Sequence, residues 1–340
     1  MFFTHIALEL IGYSGFLSPK DAMSLCTTAK NFRDYIDLFL SSLTQLVLAN
    51  TFYQRPAYAY TGCNFHFPLA KFARLQSLSL YYTSIKQVPD SLTDLETLQV
   101  CNADTALLKN LQSPELKVLL LNAPRCLTIE DLCEFLNRCP KLHCLAIKGV
   151  DCRVENLFAQ CFRGLEKLYL GDAIVKDLST IRTTPHGLRR LVIGLNTNMA
   201  LTRHVECSEI TELIYEAPFI CHGSMATFIG KCHKLVYLSV RSTHMSFGEL
   251  LSVCPPTLRK LKYYGMEITA DQILPMKNLQ ITHLSIRTEL MRLRYDVQYA
   301  LMDVKSLKQC FVTKHQLSNI MFMASIGCDN KEMESACFQI

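Results

Sequence analysis

One six-residue pattern, Leu-x-x-Leu-x-Leu, constrains this chain more than any other feature. With Ile, Val, Tyr or Cys accepted as substitutes, it starts at Leu43, Leu75, Leu95, Leu116, Leu142, Leu165, Leu188, Ile210, Leu235, Leu258, Ile281 and Leu307. The ten steps from Leu75 to Leu307 average about 23 residues, a period typical of solenoid repeats. The clearest copies read LTQLVL, LQSLSL, LHCLAI, LEKLYL, LRRLVI, LVYLSV and LRKLKY. A unit this short cannot bury its own apolar face, so its copies must stack and bury a continuous core between them.

The stretch TIEDLCEFLNRCPKLHCLAI, Thr128 to Ile147, displays a whole unit. Thr128 and Asp131 have the spacing of a helix start, in which a side-chain oxygen satisfies an orphan backbone N–H. Ile129, Leu132, Phe135 and Leu136 recur at helical spacing. Cys139-Pro140 ends the helix, because proline disfavours a helical conformation in the residue before it. Leu145 and Ile147 then stand two apart, as on one side of a pleated strand. The unit is therefore read as helix, turn, strand. The longer step from Leu43 to Leu75 holds the aromatic stretch TFYQRPAYAYTGCNFHFPL, read as an insertion or a partly formed repeat.

The residues before the array read differently. Leu8, Leu10 and Ile11 suit a short helix. Ser18 is placed as the N-cap of a second helix, with Pro19 in its first turn. Ala22, Leu25, Cys26 and Ala29 supply that helix's apolar face, and Phe32, Tyr35, Ile36 and Phe39 continue at helical spacing. So small a helical unit has little core of its own and must lean on the repeats, on a partner, or on both. After Leu307 the pattern stops, and KHQLSNIMFMASIG is read as a capping helix.

Composition limits the classes of function. With 49% hydrophobic and 19% charged residues, long disordered stretches are not expected. No run of about 18 apolar residues exists, so no membrane span is expected. Met1-Phe2-Phe3 lacks the basic start of a signal peptide, and Glu9 interrupts the apolar stretch. The sixteen cysteines are scattered through apolar runs without a C-x-x-C pair, and are read as reduced core residues of a cytoplasmic or nuclear protein. Cys221-His222 and Cys232-His233 are the only crowded metal-ligand types; their spacing fits no standard zinc pattern, and core packing is the stronger reading of both. No Walker loop, Rossmann glycine pattern, H-E-x-x-H or G-x-S-x-G occurs, so no catalytic residue, cofactor or metal is assigned. The net charge of +5 is too small to call for nucleic acid.

Two resemblances follow from these residues. RCPKLHCLAI (138–147), KCHKLVYLSV (231–240), VCPPTLRKLKY (253–263) and QCFRGLEKLYL (160–170) resemble the cysteine-containing subtype of leucine-rich repeat, in which a helix ending in Cys-Pro leads into the leucine strand. Ile6-Ala7-Leu8-Glu9-Leu10-Ile11, Leu17-Ser18-Pro19-Lys20-Asp21-Ala22 and Ala29-Lys30-Asn31-Phe32-Arg33 resemble, in that order, the three segments of an F-box. Together they resemble F-box/leucine-rich-repeat proteins. The expected fold class is α/β: a leucine-rich-repeat solenoid of about 11–12 irregular repeats, with a parallel concave sheet and helices on the convex side, preceded by a small all-α F-box-like domain. The boundaries are 4–40 for the F-box-like unit, 43–315 for the solenoid, and 316–340 for the C-terminal cap and tail.

The resemblance implies a substrate receptor of an SCF-type ubiquitin ligase. Such a receptor is not an enzyme; it contributes binding and proximity. The F-box would dock the Skp adaptor, and through it a cullin-RING ligase, using Leu8, Leu10, Ile11, Leu17, Pro19, Ala22 and Leu25. The same residues could instead pack within the three helices and onto the first repeat. The target would lie on the concave face, where residues alternating with the leucines point outward. Those outward residues turn basic and aromatic late in the array: Lys167, Tyr169, Arg190, Tyr237, Arg241, Lys260, Lys262, Tyr264 and Arg287. Between Leu188 and His315 there are 16 Lys and Arg against 10 Asp and Glu, so the positive charge sits in the C-terminal half. Such a face suits an acidic or phosphorylated target; the bland alternative is a strand face kept soluble by its charges. The rival reading of the whole is a leucine-rich-repeat scaffold or inhibitor unconnected to ubiquitin, its N-terminal helices serving as a cap.

Overall fold

The computed structural model describes residues 44–49, 64–65, 74–81, 84–85, 92–102, 108–109, 111–122, 129–149, 164–171, 187–194, 207–216, 222–241, 245–265, 268–288 and 295–314. The F-box-like stretch 4–40 and the C-terminal stretch 316–340 lie outside them. The strands are β1 (Gln45–Ala49), β2 (Asn64–Phe65), β3 (Ser77–Tyr81), β4 (Ser84–Ile85), β5 (Thr97–Cys101), β6 (Val118–Asn122), β7 (Cys144–Lys148), β8 (Lys167–Gly171), β9 (Arg190–Ile193), β10 (Glu212–Tyr215), β11 (Tyr237–Arg241), β12 (Lys260–Gly265), β13 (His283–Thr288) and β14 (Gln309–Lys314). All but β2 and β4 form one twelve-stranded sheet in chain order, and every pairing in it is parallel. β2 and β4 pair with each other in a separate two-stranded ladder.

The register follows the leucine pattern without a slip. Leu46, Leu78, Leu98, Leu119, Leu145, Leu168, Leu191, Leu213, Leu238, Leu261, Leu284 and Cys310 stand side by side on successive strands. Each is the fourth residue of one of the twelve patterns, so every repeat read from the sequence contributes one strand. The leucines are buried because a one-residue slip would turn a whole strand's apolar set to solvent. Leu78, Leu98, Leu119, Leu145, Leu191 and Leu238 are fully excluded from water. Each such burial is worth about 1.5–3 kcal/mol relative to exposure.

The backbone repeats as regularly. One carbonyl before each strand accepts two N–H groups from the next repeat. Gln76 O receives Glu96 N and Thr97 N; Glu96 O receives Lys117 N and Val118 N; Glu166 O receives Arg189 N and Arg190 N; Thr282 O receives Lys308 N and Gln309 N. The same pairing occurs at all eleven junctions from Thr44 to Gln309.

Helices are described for four repeats: α1 (Ile129–Asn137), α2 (His222–Lys231), α3 (Phe247–Val253) and α4 (Tyr295–Met302). The helix expected from Thr128 onward is α1, with Leu132, Phe135 and Leu136 buried and Cys139 beneath its end. A 3₁₀ helix, Asp271–Asn278 with Pro275 inside it, replaces the α-helix between β12 and β13. α2, α3, the 3₁₀ helix and α4 are consecutive neighbours on one side of the sheet. Packed helices need about 8–10 Å each, whereas strands need about 4.8 Å. The helical side therefore opens like a fan and the sheet lines the inside of the curve. This is a leucine-rich-repeat solenoid with a concave parallel sheet.

Candidate binding face

A parallel sheet is ordinarily covered on both faces. Here the leucine face is core, and the alternating residues face the concavity in three rows. All nine outward residues singled out from the sequence lie on this one face. Lys167, Arg241 and Lys260 are exposed; Tyr169, Arg190, Tyr237, Lys262, Tyr264 and Arg287 are half-buried. The seven F-box-like residues, Leu8 to Leu25, lie outside the described residues.

The outward residues of β8 to β10 differ from those of β11 to β13. On β9 and β10 the charges are engaged with each other, while Lys167 on β8 is exposed. Arg190 Nη1 lies 3.2 Å from Glu212 Oε2, and its guanidinium sits 5.5 Å from the centre of the Tyr169 ring. Burial pushes the Tyr169 phenol above its ordinary pKa, against the opposing pull of Arg190. On β11 to β13 the outward residues are Tyr237, Ser239, Arg241, Lys260, Lys262, Tyr264, His283, Ser285 and Arg287. No carboxylate stands among them. Lys262 Nζ lies 5.8 Å from the Tyr237 ring centre. Among the described residues, Arg241, Lys260, Lys262 and Arg287 make no ion pair. The register places Arg241 beside Tyr264 and Tyr264 beside Arg287, with Lys260 and Lys262 between the same strands. Four unpaired cations thus crowd onto three adjacent strands.

Among the described residues, three outward positions are covered rather than open: Cys101 at 7%, Cys144 at 8% and Ser239 at 6% exposure. Side chains on the inside of a curved sheet converge, and small ones disappear beneath longer neighbours. Cys144, at an outward position of β7, is therefore no contact residue. Burial raises its thiol pKa, partly offset by Lys167 and Arg190 close by.

Sequence reasoning also missed residues. Val118 and Leu120 face the concavity from β6, hidden in a run of three leucines whose neighbours fill the core. Leu120, Ala146, Tyr169, Val192 and Ile214 occupy one row on five successive strands, all half-buried. The signal available was an apolar residue at a position that should be polar. Gly171 and Gly194 leave the next row without side chains on β8 and directly after β9; a Cβ at Gly194 would stand 3.1 Å from Gly171 Cα.

The cysteine–histidine pairs fall apart as candidate ligands. Cys232 is fully buried, donates to the Phe228 carbonyl at 3.3 Å and is hydrogen-bonded with Cys207, while His233 is exposed. Cys221 lies outside the described residues. Among the described residues no three His, Cys, Asp or Glu side chains gather as metal ligands, and no helix is long and apolar enough to cross a membrane.

By sequence, no protein-family model matches the chain, and no curated protein matches it significantly. By structure it is similar to an internalin of Listeria monocytogenes, with 13% identity over 87% of this chain and 94% of the internalin and a TM-score of 0.45. It is also similar to a leucine-rich-repeat protein of Leptospira interrogans, with 17% identity over 74% of this chain and 70% of that one and a TM-score of 0.36.

Proposed function

We propose that this chain is a non-catalytic receptor that holds a protein target on its concave sheet and presents it to an SCF-type ubiquitin ligase. The observation that carries the binding half is the group of four unpaired cations on β11 to β13, interleaved with Tyr237 and Tyr264. Unpaired arginine beside tyrosine is the composition of binding surfaces rather than of inert ones. The ligase half rests on the three F-box-like segments at 6–11, 17–22 and 29–33, standing in order ahead of cysteine-type repeats. In this reading residues 4–40 form a docking unit for the Skp adaptor, 43–315 the receptor, and 316–340 its closing cap, and the protein works in the cytoplasm or nucleus.

Two changes in the full chain test the halves separately. Leu10→Asp with Pro19→Ala is expected to abolish co-purification of the Skp adaptor and leave target binding intact. Arg241→Ala or Lys262→Ala is expected to weaken target binding by about tenfold, a loss near 1.4 kcal/mol, and leave the adaptor bound. Full-length protein that retains no Skp adaptor would favour the scaffold or inhibitor reading, in which the concave face keeps its role and ubiquitin has none.

A further inference from the structure

The concave face has two parts of different chemistry, and their order along the solenoid specifies what it can hold. From β6 to β10 the middle row is apolar: Leu120, Ala146, Tyr169, Val192 and Ile214. Arg190 and Glu212, which border it, neutralise each other. From β11 to β13 the face becomes cationic with no acidic residue. The apolar row spans four strand spacings, about 19 Å, and the centre of the cationic group lies about 10 Å beyond Ile214. Alongside the row, Gly171 and Gly194 carry no side chain, and the stem of Lys148 lies over Gly171.

A solvated strand face kept soluble by charge would not place five apolar residues in one unbroken row. A nucleic-acid surface would carry its cations along the whole groove, since the phosphates it follows are evenly spaced. Here the cations gather on β11 to β13, while on β7 to β9 Lys148 and Lys167 stand singly and Arg190 is paired with Glu212. We infer that the occupant is an acidic amphipathic protein segment, whose apolar residues lie along Leu120 to Ile214 and whose carboxylates lie to one side, over Arg241, Lys260, Lys262 and Arg287. This rests on the reading that the concave face is the target site, and it names the chemistry of the target. Apolar burial supplies the hold, and the four cations supply the direction and steer the encounter.

The test is selection of a random-peptide phage library on the full chain, followed by affinity measurements on the enriched peptides. Enriched sequences are expected to carry an apolar cluster with Asp and Glu gathered on one side of it. Leu120→Ser with Ile214→Ser, and separately Lys260→Glu with Lys262→Glu, should each weaken these peptides by about tenfold or more. Only the first pair should leave the salt dependence unchanged. Circular dichroism and thermal midpoints of the variants show whether each has kept its fold; for a variant that has not, Tyr169→Ser or Arg241→Ala serves instead. Peptides that lack the segregated pattern yet are weakened by both pairs overturn this inference and leave the concave site standing. Peptides indifferent to both pairs overturn the concave reading as well. No enrichment, or a polyuridine oligonucleotide binding more tightly than any peptide, also overturns the inference, the latter in favour of a nucleic-acid surface.

Discussion

Tyr263 shows how much a single side chain carries in this array. It fills the core position that Val240 and Ile286 fill on the neighbouring strands. Its hydroxyl donates to the Met245 carbonyl at 2.8 Å, and its ring meets Phe247 edge-on at 5.1 Å. One strand is thereby tied to the start of the preceding helix. Tyr263→Phe is expected to cost about 1 kcal/mol, read by chemical denaturation. Gly265 makes room for the tyrosine, since a Cβ there would collide with the Tyr263 hydroxyl. Gly265→Ala is expected to cost about 1–3 kcal/mol, because a packed core resists the shift. Neither role was legible in LRKLKYYG, where tyrosine merely substitutes for leucine. The cysteines were more legible: apolar surroundings in sequence became burial in structure. Burial pushes Cys139 and Cys254 up to about 12 and Cys310 up to about 11, from an ordinary 9.0. The folded state thus holds these protons more tightly than the unfolded state. Their stabilisation is full below pH 9 and is lost as pH rises from 9 toward 12. Thermal midpoints should fall across that window, and the three thiols should resist alkylation in the native protein until it unfolds.

The strands were legible and the helices much less so, for one physical reason. A strand of this sheet must set its leucines against a common core, so its pattern cannot drift. The helical side needs only to fill space, and it does so differently from repeat to repeat. α3 is locally encoded: Ser246 Oγ accepts from Glu249 N at 3.2 Å, and Glu249 Oε2 accepts from Ser246 N at 3.0 Å. Its end is encoded too, with Cys254 extended before Pro255. Ser246→Ala is expected to cost about 1 kcal/mol, measured by denaturation. The 3₁₀ helix that follows has Pro275 inside it and no side-chain cap. It packs so closely on α3 that a Cβ at Gly248 would come within 3.3 Å of the Gln272 side chain. Packing rather than local propensity holds it, which is why the sequence did not announce it. The β2–β4 ladder was equally invisible, because two-residue strands leave no period to read.

For the whole molecule, the binding face was half legible. Each outward residue could be assigned from alternation, but which residues share a row depends on the register of strands about 23 positions apart. The apolar row from Leu120 to Ile214 exists only once five strands stand side by side. The same register makes the array extensible. Each junction uses one carbonyl and two N–H groups in the same arrangement, so any repeat can meet any other. Removing residues 188–209, one whole repeat, would bring Glu166 O to Thr211 N and Glu212 N, the partners now held by Arg189. It would also set Lys167 beside Glu212, opposite charges in the place of Arg190. Such a shortened chain is expected to fold with a single unfolding transition, its cations one strand spacing, about 4.8 Å, closer to Leu120. The eleven identical junctions thus make the molecule a ruler with strand-sized graduations, on which gain or loss of a repeat resets the length of partner it measures without redrawing the marks on either side.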